Sequence, residues 1–70
     1  MTRTELSSRS LKGAGYCLPE ALLELEFRSG TIYRFGGVPL ATYQEFLRAE
    51  SKGVYFNRHI RNRFPYTKIS

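Results

Sequence analysis

The chain has 70 residues, 41 % hydrophobic and 24 % charged, with a net charge of +5, one cysteine (Cys17), one histidine (His59) and no aspartate. That length allows one domain, residues 1–70, and excludes a second. The composition excludes an internal disulfide and leaves too few ligands for a metal site within the monomer.

A domain of this size buries only about 60 % of the surface its unfolded chain exposes, so its core is small. The longest apolar run is too short to cross a membrane. The polar start, Met1-Thr2-Arg3-Thr4-Glu5, does not read as a signal peptide. With a single thiol, a reduced cytoplasmic setting is expected.

Residues 1–7 are polar, and as an untethered terminus they are expected to fray. Ser8–Cys17 reads as a weak first strand, with Leu11, Ala14 and Tyr16 as its apolar residues. Gly13 and Gly15 weaken it or mark a bulge. Leu18-Pro19-Glu20 breaks it, because proline cannot donate to a ladder.

Ala21–Phe27 is the clearest strand. Leu23, Leu25 and Phe27 alternate with Glu24 and Glu26, and Tyr33 and Phe35 alternate likewise in Thr31–Phe35. A two-residue turn at Ser29-Gly30 would set Arg34 beside Leu25. A three-residue turn, Arg28-Ser29-Gly30, with Gly30 left-handed, pairs Phe27 with Thr31 instead. Leu25 then faces Tyr33, Leu23 faces Phe35, and Glu24 meets Arg34 on the other side. A slip of one residue would bury the charged face, so the three-residue turn is expected.

Gly36-Gly37 ends that strand. A helix follows from Val38-Pro39 to about Glu50, with Leu40, Tyr43, Phe46 and Leu47 on one face. Its aromatics are expected in the core. Ser51-Lys52-Gly53 separates it from a second helix over Val54–Arg63, with Ser51 suited to a cap and Gly53 to a left-handed position. Phe56, Ile60 and Phe64 make its narrow core stripe, and Phe64-Pro65 stops it. Tyr66–Ile69 is read as a short closing strand. The expected fold is α+β: an antiparallel three-stranded meander, with room for a short fourth C-terminal strand, and two helices packed on one face.

Charge is segregated along this chain. Residues 1–50 hold six basic and six acidic side chains; residues 51–70 hold Lys52, Arg58, Arg61, Arg63 and Lys68 and no acid. All of the excess charge lies in the last twenty residues, which suits an anionic partner such as nucleic acid. At helical spacing Arg58, Arg61 and Arg63 fan around the exposed side, as suits contacts to several phosphates. Asn57 and Arg61 share a flank, one turn apart. They can hold a phosphate or base edge, or they can bind nearby carbonyls or Glu side chains and tie the helices together. Tyr16, Tyr33, Tyr55 and Tyr66 are the rings available to stack on unpaired bases. Tyr33 is core by register, and Tyr55 is expected to be the more exposed, beside the basic helix. His59 has no metal or triad partner placed by sequence and reads as a surface or capping residue. No phosphate-binding glycine loop and no catalytic motif is present.

Gly15-Tyr16, Phe27 followed by Gly30, Tyr33-Arg34-Phe35, Val38-Pro39 and Tyr43 form one part of a wider pattern. The other part is Ala49-x-Ser51-x-Gly53-x-Tyr55-Phe56-Asn57 and Ile60-Arg61. Together these residues resemble the KTSC domain, in its stand-alone form, over about residues 7–66. That domain is named for its occurrence at the C-terminus of some lysyl-tRNA synthetases and also occurs as a small bacterial protein. Its central Tyr-x-Tyr motif is matched with Phe35 in the last place, which removes one hydroxyl. The resemblance implies RNA binding, through the synthetase context, and brings no catalytic residues. The expectation is therefore a non-catalytic module without cofactors that binds RNA, either tRNA or single-stranded, through Lys52, Tyr55, Asn57, Arg58, Arg61, Arg63 and Lys68. A protein-interaction module, taking an acidic partner or a second copy, is the alternative.

Overall fold

A computed structural model describes residues 3–70. Its centre is the hairpin of β3 (Leu22–Phe27) and β4 (Ile32–Phe35). Their register sets Leu23 opposite Phe35, Glu24 opposite Arg34 and Leu25 opposite Tyr33. The turn is the three-residue form. The Phe27 amide donates to the Thr31 carbonyl at 2.9 Å, Gly30 returns to the Phe27 carbonyl at 2.9 Å, and Gly30 has φ +97°. A left-handed residue is needed there, and glycine adopts it without a Cβ clash.

Around that hairpin the sheet has five strands, all antiparallel, in chain order. β2 (Leu11–Cys17) pairs with β3, with a bulge between Leu11 and Gly13. It starts later than Ser8 because the chain bends there, and the Leu11 amide donates to Ser8 Oγ at 3.4 Å. The other two strands extend the expected meander at both edges. β5 (Tyr66–Lys68) pairs with β4 and closes the sheet at that edge. β1 (Arg3–Glu5) pairs with β2 and the Leu6 amide donates to the Lys12 carbonyl at 2.9 Å, so the expectation of a frayed start is corrected for residues 3–6; residues 1 and 2 lie outside the described residues. Two contacts hold β1 down. Leu6 is buried in the core, and Arg3 crosses Gly13 to reach Glu24 Oε1 and, at 3.3 Å, Glu26 Oε1. Arg28 fixes the loop that follows, donating to the Leu6 carbonyl at 3.0 Å and the Ser8 carbonyl at 3.2 Å.

The two faces of the sheet differ as the alternation requires. One carries Glu24, only 5 % exposed, clamped between Arg3 and Arg34. Burial pushes its carboxyl up, but hydrogen bonds from Arg34 and Arg3, and their charges, outweigh this and hold it below the usual carboxylate range. The other face is apolar. Ala14, Leu23, Leu25 and Phe35 form the core there with Leu6, Leu11, Val38, Phe46 and Ile60. Helices cover that face.

The first of these, α1, is Leu40–Arg48, with Pro39 at its N-terminal boundary. It stops before Glu50 because Ala49 turns extended, and Lys52 Nζ then caps the Ala49 carbonyl at 2.9 Å. Phe46 is its one fully buried residue; Leu40, expected on the apolar face, is 38 % exposed. The second helix begins earlier than Val54, as α2 (Lys52–Tyr55), with Ser51 Oγ accepting from the Val54 amide at 3.3 Å. Gly53 is therefore helical and not left-handed. A Cβ on it would stand 3.3 Å from Ser10 Oγ, so the small residue serves close approach. The helix then widens into a π turn, Phe56–Ile60, and ends there instead of at Arg63. The Arg61 amide donates to the Phe56 carbonyl, five residues back, at 2.8 Å. Asn62 follows with φ +66°, a left-handed position that asparagine tolerates.

Candidate nucleic-acid interface

The π turn faces the end of the sheet where β4 meets β5. Antiparallel pairing puts opposed residues on one face, and here it sets Tyr66 opposite Phe35 and Lys68 opposite Tyr33. Phe27, at the end of β3, shares this face with Tyr33 and Phe35. Phe56 descends onto it from the π turn. The five rings form a closed circuit. Phe27 meets Tyr33 at 5.8 Å, Tyr33 meets Tyr66 at 5.3 Å, and Tyr66 meets Phe35 at 5.8 Å. Phe35 meets Phe56 at 5.6 Å and Phe56 closes on Phe27 at 5.5 Å. Four of these pairs lie between 72° and 87° and one at 43°, so ring edges meet ring faces around most of the circuit.

This circuit lines a pocket of about 410 Å³, inside the usual range for small-molecule sites. Its polar margin is Ser10, Asn57, Arg61 and Asn62; Gly53 completes it. Arg61 Nη1 donates to Asn57 Oδ1 at 3.4 Å. The pair thus meets on itself, and among the described residues it makes no hydrogen bond to a backbone carbonyl or to a Glu side chain. The pocket's lining carries one positive charge and no carboxylate.

The other expected site residues are spread more widely. Lys68 projects from the pocket's face of the sheet, opposite Tyr33. Arg63 is exposed on the turn after the helix, where its amide returns to the Ile60 carbonyl at 3.1 Å. Arg58 lies away from the pocket, beside a shallower hollow lined by Glu50, Val54, Tyr55 and His59 among others. Lys52 is occupied at the end of α1.

Tyr55 is half-buried between the helices. Its ring packs on Phe46 at 6.1 Å and His59 at 4.5 Å, and its hydroxyl donates to Glu45 Oε1 at 2.9 Å. Burial and the Glu45 carboxylate push that phenol up to about 12. Tyr16 is likewise engaged, stacked on Tyr43 at 4.9 Å with its hydroxyl on the Val38 carbonyl at 2.5 Å. The open ring is Tyr66, 62 % exposed, and not Tyr55. His59 is exposed, as expected. The described residues contain no group of three or more His, Cys, Asp or Glu side chains placed to hold a metal. No helix among them is long and apolar enough to cross a membrane.

Asn57 and Arg61, singled out by their spacing, both line the pocket, whereas the aromatic circuit is absent from the sequence expectations. The available signal was Tyr33 and Phe35 on one face with Tyr66 in the closing strand. Phe27 and Phe56 join them only once the helix is laid across the sheet.

Comparison with known proteins gives a consistent result. The KTSC domain family profile matches residues 7–64. A protein of Stutzerimonas stutzeri is 43 % identical over 58 residues, which cover 83 % of this chain and 82 % of that protein. A lysine–tRNA ligase of a Nostoc species is 46 % identical over 48 residues, 69 % of this chain. The chain matches only 9 % of that ligase's length. A crystal structure of a KTSC domain protein from Yersinia pestis superposes with a TM-score of 0.96 at 35 % identity, covering 99 % of this chain and 97 % of that one.

Proposed function

The chain belongs to the KTSC domain family, and on that premise we propose that it is a non-catalytic RNA-binding module of the cytoplasm. The observation that carries this reading is the pocket at the end of the sheet, where five aromatic rings stand beside an arginine with no acid in the lining. Such a surface offers what single-stranded nucleic acid needs: ring faces for bases and positive charge for phosphates. Arg61, Lys68 and the exposed Arg63 supply the charge, and Asn57 supplies a polar contact at the mouth. Lys52, Arg58 and Tyr55 contribute less, since the first and last are engaged within the fold and Arg58 lies away from the pocket. The match to a segment of lysine–tRNA ligases, enzymes that act on an RNA, points the same way.

A protein-interaction reading draws on the two open sheet edges, β1 and β5. Both are three residues long and carry charge, at Arg3, Glu5 and Lys68. Short charged edges are how sheets discourage pairing with another chain, so this reading has less support. The test is titration of short single-stranded RNA, tRNA and duplex DNA at low salt. RNA binding that an Arg61→Ala/Lys68→Ala variant loses while staying folded supports the proposal. Failure to bind any nucleic acid at low salt would transfer the case to the sheet edges.

A further inference from the structure

Resting on the RNA reading above, we infer that the aromatic pocket holds one unstacked nucleotide, its base against the rings that line it and its phosphate on Arg61. Three features select that occupant. Phe27, Tyr33, Tyr66, Phe35 and Phe56 line the pocket, and Tyr66, 62 % exposed, leaves an open ring on which a flat π system can stack. An aromatic cage also suits a cationic ligand, but the lining here has no carboxylate and Arg61 stands at the margin. A cation is therefore repelled and an anion attracted. The pocket's volume, about 410 Å³, exceeds what a single side chain needs and suits a base with its sugar.

The polar margin fits the same occupant. A side-chain amide offers both a donor and an acceptor to a base edge. Asn57 presents that amide beside the arginine, in contact with it at 3.4 Å one turn away. A base paired in a duplex cannot enter, so the pocket selects unpaired strands. It works by shape and stacking, and any base has a face to offer.

The test has two arms. In the first, uniformly 15N-labelled protein is titrated with adenosine and uridine 5′-monophosphates, and separately with inorganic phosphate. Nucleotides should move the amide resonances of Gly53, Asn57, Arg61 and Tyr66 together, while phosphate alone should move only those next to Arg61. In the second, a short single-stranded RNA is compared with its abasic counterpart and with a duplex. Tyr66→Ala, at an exposed ring on an edge strand, should weaken the intact single strand about tenfold. It should leave the duplex and the abasic strand unchanged. Asn57→Ala, which alters no core residue, is the second variant and should weaken nucleotide binding without unfolding.

Equal affinity for intact and abasic strands, unmoved by Tyr66→Ala, would overturn the pocket assignment while the RNA reading stands. Nucleotide shifts at the pocket without binding of any RNA would sustain the pocket and remove the RNA reading. Shifts produced by a peptide ending in an aromatic residue, and by no nucleotide, would overturn the assignment in favour of a protein ligand.

Discussion

Arg61 and Asn57 stay in contact, at 3.4 Å, although Arg61 has already left the helix with ψ 132°. A regular helix would also set the two one turn apart, but would continue beyond Arg61. The π turn ends it instead on the wide bond from Arg61 to Phe56 and leaves both side chains at the pocket's mouth. Such turns are often found at functional sites. Both side chains are exposed. Replacing either by alanine should change stability by no more than about 0.5 kcal/mol while weakening nucleotide binding. Denaturant unfolding and binding, measured on the same samples, check the separation.

The Glu24 carboxylate is the main acid-sensitive group on the opposite face. Its pKa is lowered on folding, so its contribution to stability is complete above the ordinary value of 4.5 and lost as the pH falls through the folded one. Glu24→Gln should cost about 1–2 kcal/mol at neutral pH, since two charge-assisted partners are lost. The half-exposed arginines keep the figure low. The variant should also flatten the acid limb of a stability–pH curve, which denaturant unfolding at several pH values reads directly.

Tyr55 should titrate late. Its phenol is raised from 10.0 to about 12, by burial first and then by Glu45. The neutral form is therefore the stabilising one; that contribution is complete below pH 10 and lost as the pH rises towards 12. An ultraviolet titration should show a tyrosine ionising step near pH 12, and Tyr55→Phe should remove it.

Ala21 is held at φ +53°, a left-handed conformation costly for an L-residue with a Cβ. It is anchored there because its carbonyl accepts from the Val38 amide at 2.9 Å. Ala21→Gly should stabilise the fold by about 0.5–1 kcal/mol. That raises the thermal midpoint of a domain this size by about 2–8 °C.

The hairpin register was legible because two independent signals agreed. The Glu24–Arg34 and Leu25–Tyr33 alternations fixed which faces meet, and Gly30 fixed the turn. β1 was not legible. Arg-Thr-Glu carries no apolar alternation, and its partners, Glu24 and Glu26, are some twenty residues away. The π turn was hidden for a related reason. Phe56 and Ile60 read as the stripe of an ordinary helix, and a single widened turn leaves the spacing of two apolar residues unchanged. Gly53 misled because glycine serves left-handed turns and close contacts alike, and only Ser10 reveals which applies. At the site, the charged half was visible as a run in the sequence. The aromatic half comes from β3, β4, the π turn and β5, and so exists only in the folded chain.

The most direct test of RNA binding through the pocket face is the salt dependence of affinity for a short single-stranded RNA. Contacts from Arg61, Arg63 and Lys68 should give a slope of log affinity against log salt near −2, at roughly −0.7 per phosphate. Arg61→Ala should reduce its magnitude by about 0.7, and Arg58→Ala, away from the pocket, should leave it unchanged. A flat salt response, or a slope that Arg58→Ala changes and Arg61→Ala does not, would contradict the account.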